Sequence, residues 1–522
     1  MLTQVGRLAW DANSYTDLIN QVANVLIQHI EIDACAFGRP DGLGSFSWEC
    51  IAGASGLEKF LFEQNMPILN EKDPDRLGVT GRAWYFQEVV HTLHASTDER
   101  LNLWADQATR RHVRSVVAIP LNFPGSAPTA ILNLYSSHPG GFSSLNQKAF
   151  IAQLRSTLTF ACARLEYFDK TGGYAIAYDT RQRWAKLVHT DGVEMHYQPI
   201  INMRTGELSK VEALARLRDG DKTLRPDEFF PTLTSDDFFK LYVQGLLQVA
   251  QRYEECKQKL GVSLSISLNL PSKALVDHRY YEATRHILDE RQFPPSQLTL
   301  EILETDALPL SVDVTDELRK FSALGIKLAE DDLGSGHSGL NRLRNLPFDI
   351  VKLDRGIVSL DSMDLTHSLH FIYQLTRLGH SLNKTVIIEG VETPDMLEAA
   401  TVLDVDAVQG YVIARPMPFD ALCAWMSSSL PIRLPDRIRP QSTLGKLAAL
   451  LLWEERLQTL VGQDVMSQHL ALPFEVDPTL VRELLSCVLA HGARSAEYNA
   501  SRKRLMGESM VWPSMLQPLA VH

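Results

Sequence analysis

Between residues 264 and 408, short apolar runs rich in β-branched residues recur at 264–268, 298–303, 326–329, 350–353, 386–388 and 407–408, separated by longer stretches with helical spacing. Alternation of this kind, sustained over about 230 residues with the hairpin that precedes it, predicts parallel β/α units, and one barrel fits the length. That hairpin is read from 194–201 and 208–214, which flank Asn202-Met-Arg-Thr-Gly-Glu207. Upstream the pattern differs. A helix is expected from Ser14, where Ser14 and Asp17 resemble a capping box and Leu18, Val22, Val25 and Leu26 recur at helical intervals. Short strands follow at 34–37 and 46–51. Two β-rich runs, 115–121 and 129–135, enclose Asn122-Phe-Pro-Gly-Ser-Ala-Pro128 as a second hairpin, and a long helix at 144–167 closes the region. Residues 169–190 read as a connector with a short charged helix at 180–188. Beyond Met426 a proline-punctuated linker precedes a stripe of Leu447, Leu450, Leu451, Leu457, Leu460 and Val461, and Asp477-Pro478 reads as an N-cap with a first-turn proline.

Nearly every strand-like run of the barrel region ends in a polar residue where apolar continuation is expected: Glu212, Asn269, Glu301, Asp331 with Asp332, Lys352, Glu389 and Gln409. In a β/α barrel these ends converge on the face that carries active sites. Solvation accounts for any one of them but poorly for the set. Asp331 and Asp332 are adjacent, so a regular strand would point them to opposite faces; where the chain turns, both can reach one site. Paired carboxylates of this kind suit a hard cation. Gly334-x-Gly336-x-x-Gly339 also satisfies the dinucleotide fingerprint, but the acids before it would repel a pyrophosphate.

Composition narrows the picture. A chain of 522 residues has room for two or three domains, and a formal charge of −12 without a Lys/Arg block argues against a nucleic-acid polymer or an anionic membrane as partner. Six scattered cysteines with no C-x-x-C pair indicate neither a disulfide framework nor a cysteine zinc site. No apolar run approaches the roughly 18 residues of a membrane span and no signal peptide is evident, so a cytoplasmic location is expected. His91, His94 and His112 lack metal-ligand spacing and are expected at the surface.

At Glu212-Ala-Leu214 the chain resembles the EAL-domain cyclic di-GMP phosphodiesterases. Supporting motifs run from Tyr197-Gln-Pro199 through Glu212-x-Leu214-x-Arg216, Ser267-Leu-Asn269, Leu300-Glu-Ile-Leu-Glu304, Asp331-Asp-Leu-Gly-Ser-Gly336, Val351-Lys-Leu-Asp354 and Glu389-Gly-Val-Glu392 to Gln409-Gly-Tyr411. The region at 1–168, particularly Gly81-Arg-Ala-Trp84 and Arg114–Leu121, resembles a GAF sensory domain able to hold a small unidentified ligand. The resemblances imply a (β/α)8 TIM-like barrel at 191–428, preceded by an α+β GAF-like domain and a connector at 169–190, and followed by a linker at 429–442 and a helical region at 443–522. That last region reads as helices packing on the barrel or the sensor rather than as a separate partner-binding module.

The EAL resemblance further implies hydrolysis of cyclic di-GMP to linear pGpG with two Mg²⁺ or Mn²⁺ ions, and a homodimer. Carried over residue by residue, Glu212, Asn269, Glu301 and Asp331 would hold one ion, and Asp331, Asp332 and Glu389 the other. Lys352 would orient water or stabilise charge, Gln409 would position a neighbouring ligand, and Arg216, with Leu214 and Gln198, would face the substrate. Glu304 would anchor the loop after Asp332. Leu333, Ser335 and His337 depart from the family's usual Phe, Thr and Tyr, and Glu330 adds an acid without an assigned role. No cyclase domain fits between sensor and barrel, so degradation without synthesis is expected. The alternatives are a non-catalytic cyclic di-GMP receptor and a sensor whose output is protein association.

Overall fold

The structure is a computed structural model that describes residues 1–12, 14–40, 46–53, 78–98, 110, 112–123, 128–168, 176–303, 312–333, 339–354, 365–460, 478–491 and 495–509. The chain divides into two compact units, one of residues 1–194 with 216–241, the other of 195–215 with 242–522.

The first unit is built on a five-stranded antiparallel sheet of β1 (Ala34–Pro40), β2 (Phe46–Gly53), β3 (Val90–Thr92), β4 (Ser115–Leu121) and β5 (Ala130–Ser136), in the order β2-β1-β5-β4-β3. Every residue of β4 and β5 is buried, so these strands are covered on both faces and read as apolar runs rather than as an alternation. Val117, Ile119 and Leu132 pack against the helices Leu2–Asp11, Tyr15–Leu26 and Leu145–Phe168, whereas Val116, Ala118 and Ile131 join Trp48 and Ala83 on the other face. The expected cap is present: Ser14 Oγ accepts from the Asp17 amide at 3.1 Å and donates to the Asp17 carboxylate at 2.9 Å. A fully buried Glu49 on β2 pairs with Arg39 at 2.9 Å and with Arg181 of the helix Tyr178–His189 at 2.6 Å, which fastens that helix to the sheet. His91 and His94, expected at the surface, are half-buried; His91 lies on β3, under the edge of the sheet.

The barrel strands are β6 (Val193–Asn202), β7 (Leu208–Asp219), then, after the short hairpin strand β8 (Lys222–Leu224), β9 (Ile266–Asn269), β10 (Leu298–Leu303), β11 (Lys327–Leu333), β12 (Ile350–Leu353), β13 (Thr385–Ile388) and β14 (Ala407–Gln409). They run in the order β6-β14-β13-β12-β11-β10-β9-β7, and pairing of β6 with β7 closes eight strands into a barrel. All are parallel from β7 round to β14, while β6 meets β14 antiparallel. The stretch 216–241, read from sequence as part of the barrel, groups with the first unit: Asp17 accepts from both the amide and the hydroxyl of Ser235, at 3.1 and 3.0 Å.

The β6–β7 turn needs Gly206, whose φ is +73° and where a Cβ would lie 2.2 Å from the Ile432 carbonyl oxygen. The Ile432 amide in turn donates to Gly206 O at 2.8 Å, strapping the linker across the hairpin. The helix Phe419–Ser429 carries on through the serines expected to start that linker, and extended chain follows it. The helix Thr443–Leu460 is apolar on two sides. Leu444, Leu447, Ala448 and Leu451 join the core with the barrel helices Leu365–Ser381 and Pro394–Val402, while Leu450 and Trp453 meet Leu484, Tyr498 and Leu505 of the helices Pro478–His491 and Ala496–Ser509. Among the described residues no helix is long and apolar enough to cross a membrane.

The entry to this tail rests on one buried carboxylate. Glu398 accepts from the Gln441 amide at 2.9 Å, the Ser442 amide at 2.7 Å and the Ser442 hydroxyl. Glu398→Ala leaves those donors unpaired and is expected to lower stability by about 1–3 kcal/mol, read as a lower denaturant midpoint at unchanged slope.

Candidate active site

Strand alternation places the residues of the rim. Side chains two apart share a face, so each inward position at the carboxyl end stands one layer above another inward position. Ile200, Ala329, Ile350, Ile387 and Ala407 form an apolar cluster inside the barrel, and their partners two residues on, or back for the antiparallel β6, are Gln198, Asp331, Lys352, Glu389 and Gln409. On the remaining strands the lower layer is polar: Lys210, Ser267 and Thr299 lie beneath Glu212, Asn269 and Glu301, and Lys210 donates to the Thr299 hydroxyl at 2.7 Å.

Lys352 is the centre of the site. Its ammonium is 1% exposed and lies 2.6 Å from Glu301, 3.0 Å from Asp331, 3.5 Å from Glu212 and in contact with Glu389. Gln409 donates to Glu212 at 2.6 Å and to the Gln198 carbonyl oxygen at 3.0 Å, and Gln198 donates to Ala414 O at 3.0 Å. Asn269 donates to the other oxygen of Glu212 at 3.1 Å. The carboxylates respond to this setting unequally. Burial pushes Glu301 up to about 8 and Glu389 well above the usual range, against the pull of Lys352 and with repulsion from the other acids. Burial works against Glu212 too, but Lys352 and the hydrogen bonds from Gln409 and Asn269 hold it low. For Lys352, burial opposes the charge and the four surrounding carboxylates outweigh it, so its affinity for a proton is well above normal.

Four carboxylates, three of them buried and Glu389 half-buried, against one ammonium leave an excess of negative charge that is relieved by protonation or by added positive charge. The donor set, carboxylates and an amide oxygen, is that of a hard divalent cation, so residues and metal are chemically matched. Among the described residues no three His, Cys, Asp or Glu side chains already stand as a coordination shell, and the Lys352 ammonium lies among the acids.

Of the remaining sequence expectations, Asp331 and Asp332 lie inside β11, which runs through the acids instead of stopping at Ala329. Pairing with β12 skips from Glu330↔Val351 to Leu333↔Leu353, three steps on one strand against two on the other. That bulge breaks the strict alternation at the two aspartates. The Asp332 side chain and all of Glu304, Ser335 and His337 lie outside the described residues. Leu333 is buried in the core between barrel and helices. Leu214 is half-buried on β7, and Arg216 follows on that strand four residues after Glu212.

Two features escaped the sequence reading. Lys210 was missed although its spacing from Glu212 marks the same inward face; burial pushes it down to about 8, while Glu301 favours its charge. The unassigned Glu330 points away from Asp331 and, fully buried, meets the equally buried Arg342 at 2.9 Å. Arg342 belongs to the helix Gly339–Asn345, so the pair joins the strand that carries Asp331 to the helix that follows.

A closed β/α barrel with an acidic rim gathered on one lysine is thus the class of structure that defines the site. Residues 181–416 match the EAL domain profile, and this part of the chain is an EAL domain. The chain is 28% identical over 253 residues to the oxygen sensor protein DosP of Escherichia coli, covering 48% of this chain and 31% of that protein. It is 32% identical over 240 residues to the cyclic di-GMP phosphodiesterase NbdA of Pseudomonas aeruginosa, covering 45% and 30%. These matches span about a third of the length of the curated relatives. Among solved structures, the PaMucR phosphodiesterase in complex with c-di-GMP aligns over 45% of this chain and 96% of that one, at 26% identity and a TM-score of 0.43.

The Glu330–Arg342 pair is open to test. Arg342→Leu strands a buried carboxylate and should cost about 3–5 kcal/mol in urea unfolding, whereas Glu330→Leu combined with Arg342→Leu should recover most of that loss. Equal losses in the single and double variants would mean the two residues act independently.

Proposed function

We propose that the chain is a metal-dependent phosphodiesterase that hydrolyses cyclic di-GMP to linear pGpG, and that the first unit is a GAF-like sensory domain regulating it in the cytoplasm. The observation that carries the reading is the convergence of Glu212, Glu301, Asp331 and Glu389 on buried Lys352 within an EAL domain. The naming of NbdA as a cyclic di-GMP phosphodiesterase supports the choice of substrate.

In this reading Glu212, Asn269, Glu301, Asp331, Asp332 and Glu389 are the residues that would hold two Mg²⁺ or Mn²⁺ ions. Such ions, when bound, supply charge that acidifies water and offsets the charge developing on phosphorus. The chain's own groups do the rest. Lys352 orients the attacking water or stabilises charge beside it. Gln409 fixes the Glu212 carboxylate while bridging it to Gln198, and the fork of donors on Arg216 suits a non-bridging phosphate oxygen. Leu214 and Gln198 border the substrate, and Glu304 steadies the segment after Asp332. The reaction adds a water oxygen to one phosphorus as its bond to a ribose 3′ oxygen breaks. That oxygen leaves with a proton, and pGpG keeps the phosphate at its 5′ end. A homodimer is the assembly this reading favours.

Incubating purified full-length protein with cyclic di-GMP and Mg²⁺ or Mn²⁺ should give pGpG, and Glu212→Ala should give none. Asp331→Asn should lower turnover by about a hundredfold or more while weakening nucleotide binding far less, because its charge serves the reacting phosphate more than the guanine rings. Binding of cyclic di-GMP without any pGpG from the unaltered protein would instead identify a receptor.

A further inference from the structure

A cavity of about 460 Å³ in the first unit lies between the helix Leu145–Phe168 and the β3 edge of the sheet, within the size range of small-molecule sites. Nothing in the barrel chemistry uses it. Its helix wall is the stripe Lys148, Ala152, Arg155 and Thr159, which repeats at helical intervals, and Val89 and Ile151 supply an apolar floor.

Arg155 carries the argument. Its guanidinium is held in place by three oxygens: Nε donates to Pro120 O at 2.9 Å, and Nη2 donates to Gln87 O at 3.0 Å and to Asn122 Oδ1 at 2.9 Å. All three acceptors are neutral. Among the described residues no carboxylate forms an ion pair with it, and Nη1 has no partner. Burial lowers its affinity for a proton, and Glu88 works the other way. A half-buried cation fixed in this manner has lost hydration without gaining a counter-ion, a state that a bound anion relieves. Lys148, two turns earlier on the same face, is exposed and forms no ion pair among the described residues, so it can close over the same ligand. His91 faces them from β3; burial and Lys148 both lower its affinity for a proton, leaving it a neutral hydrogen-bonding group near pH 7. The Thr159 hydroxyl, at the far end of the stripe, is buried and has no hydrogen-bond partner among the described residues.

We infer that this cavity is a second ligand site, for a small organic oxyanion whose carboxylate or phosphate pairs with Arg155 and Lys148 and whose compact apolar body covers Val89 and Ile151. The shared chemistry is one anionic head on an apolar body. The floor has no group suited to a second charge, and the cavity is too small for an extended polymer.

The test is ¹⁹F NMR titration of the full-length chain with 4-fluorobenzoate, 4-fluorophenyl phosphate and the neutral 4-fluorobenzyl alcohol. One or both anions should show saturable broadening at millimolar concentration or below, and the alcohol none; which anion binds more tightly separates a carboxylate from a phosphate ligand. Arg155→Met should weaken binding by about tenfold or more and Lys148→Gln by a few-fold. Because Arg155 also ties the helix to the sheet, Ala152→Trp provides a control: it fills the cavity from an exposed helix position, leaves the Arg155 hydrogen bonds in place and should abolish binding. Cyclic di-GMP should not compete. Absence of saturable binding by either anion up to about 10 mM, where affinity falls below roughly 3 kcal/mol, overturns the site, as does binding that survives Ala152→Trp. Neither result bears on the assignment of pGpG formation to the barrel site.

Discussion

Everything on the barrel rim is conditioned by the single ammonium of Lys352, held among Glu212, Glu301, Asp331 and Glu389 with almost no solvent. A lone buried lysine is costly, and so is a lone buried carboxylate; together they are tolerable only when geometry and hydrogen bonding are good. Here each of the four acids comes from a different strand, so the ion cluster can form only if the barrel closes with the correct stagger. The acids outnumber the lysine, however, and the imbalance falls unevenly. Glu212, braced by Gln409 and Asn269, keeps its charge, while Glu301 and Glu389 are pushed towards protonation. A site poised in this way gains from any further positive charge, and its oxygen donors suit a hard cation.

The rim was legible in the sequence because a parallel barrel converts a one-dimensional rule into a three-dimensional one. A polar residue that ends an apolar run can only be at the carboxyl end of a strand, and all such ends share one face. Glu301, Lys352 and Gln409 were recognisable for this reason. What could not be read was which contacts these residues make: Lys352 was assigned to water or to charge beside it, and the structure places its ammonium against the acids themselves. The first unit was less legible. Strands β1 and β2 run longer than the apolar pattern suggests, and β3 and the helix Leu2–Asp11 were not anticipated: a three-residue edge strand leaves little periodic signal, and the helix has no capping side chain to mark its start.

Glu330 shows a different limit. Beside two aspartates it reads as one more member of an acidic cluster. Its side chain instead faces outward into the layer between strand and helix, where Arg342 compensates it. The bulge at Asp331 and Asp332 begins immediately after this residue, so the strand is fixed to its following helix at the point where regular pairing is lost. The helix Thr443–Leu460 poses a similar problem of attribution. Its apolar residues belong to two surfaces, one towards the barrel helices and one towards the tail, and a stripe drawn through all of them matches neither.

The layer beneath the rim divides the barrel into two halves. Under Asp331, Lys352, Glu389 and Gln409 the interior is Ala329, Ile350, Ile387 and Ala407, which can stabilise neither sign of charge. Under Glu212 and Glu301 it is Lys210, hydrogen-bonded to Thr299. Burial brings Lys210 down to about 8, so near pH 7 it remains mostly protonated and adds a second cation on the β7 and β10 side. Glu301 therefore meets Lys352 in the rim and Lys210 from below, whereas Glu389 meets Lys352 over the apolar half. Burial pushes both Glu301 and Glu389 up, and on the Glu301 side the Lys210 ammonium beneath the rim stands with Lys352 against that push.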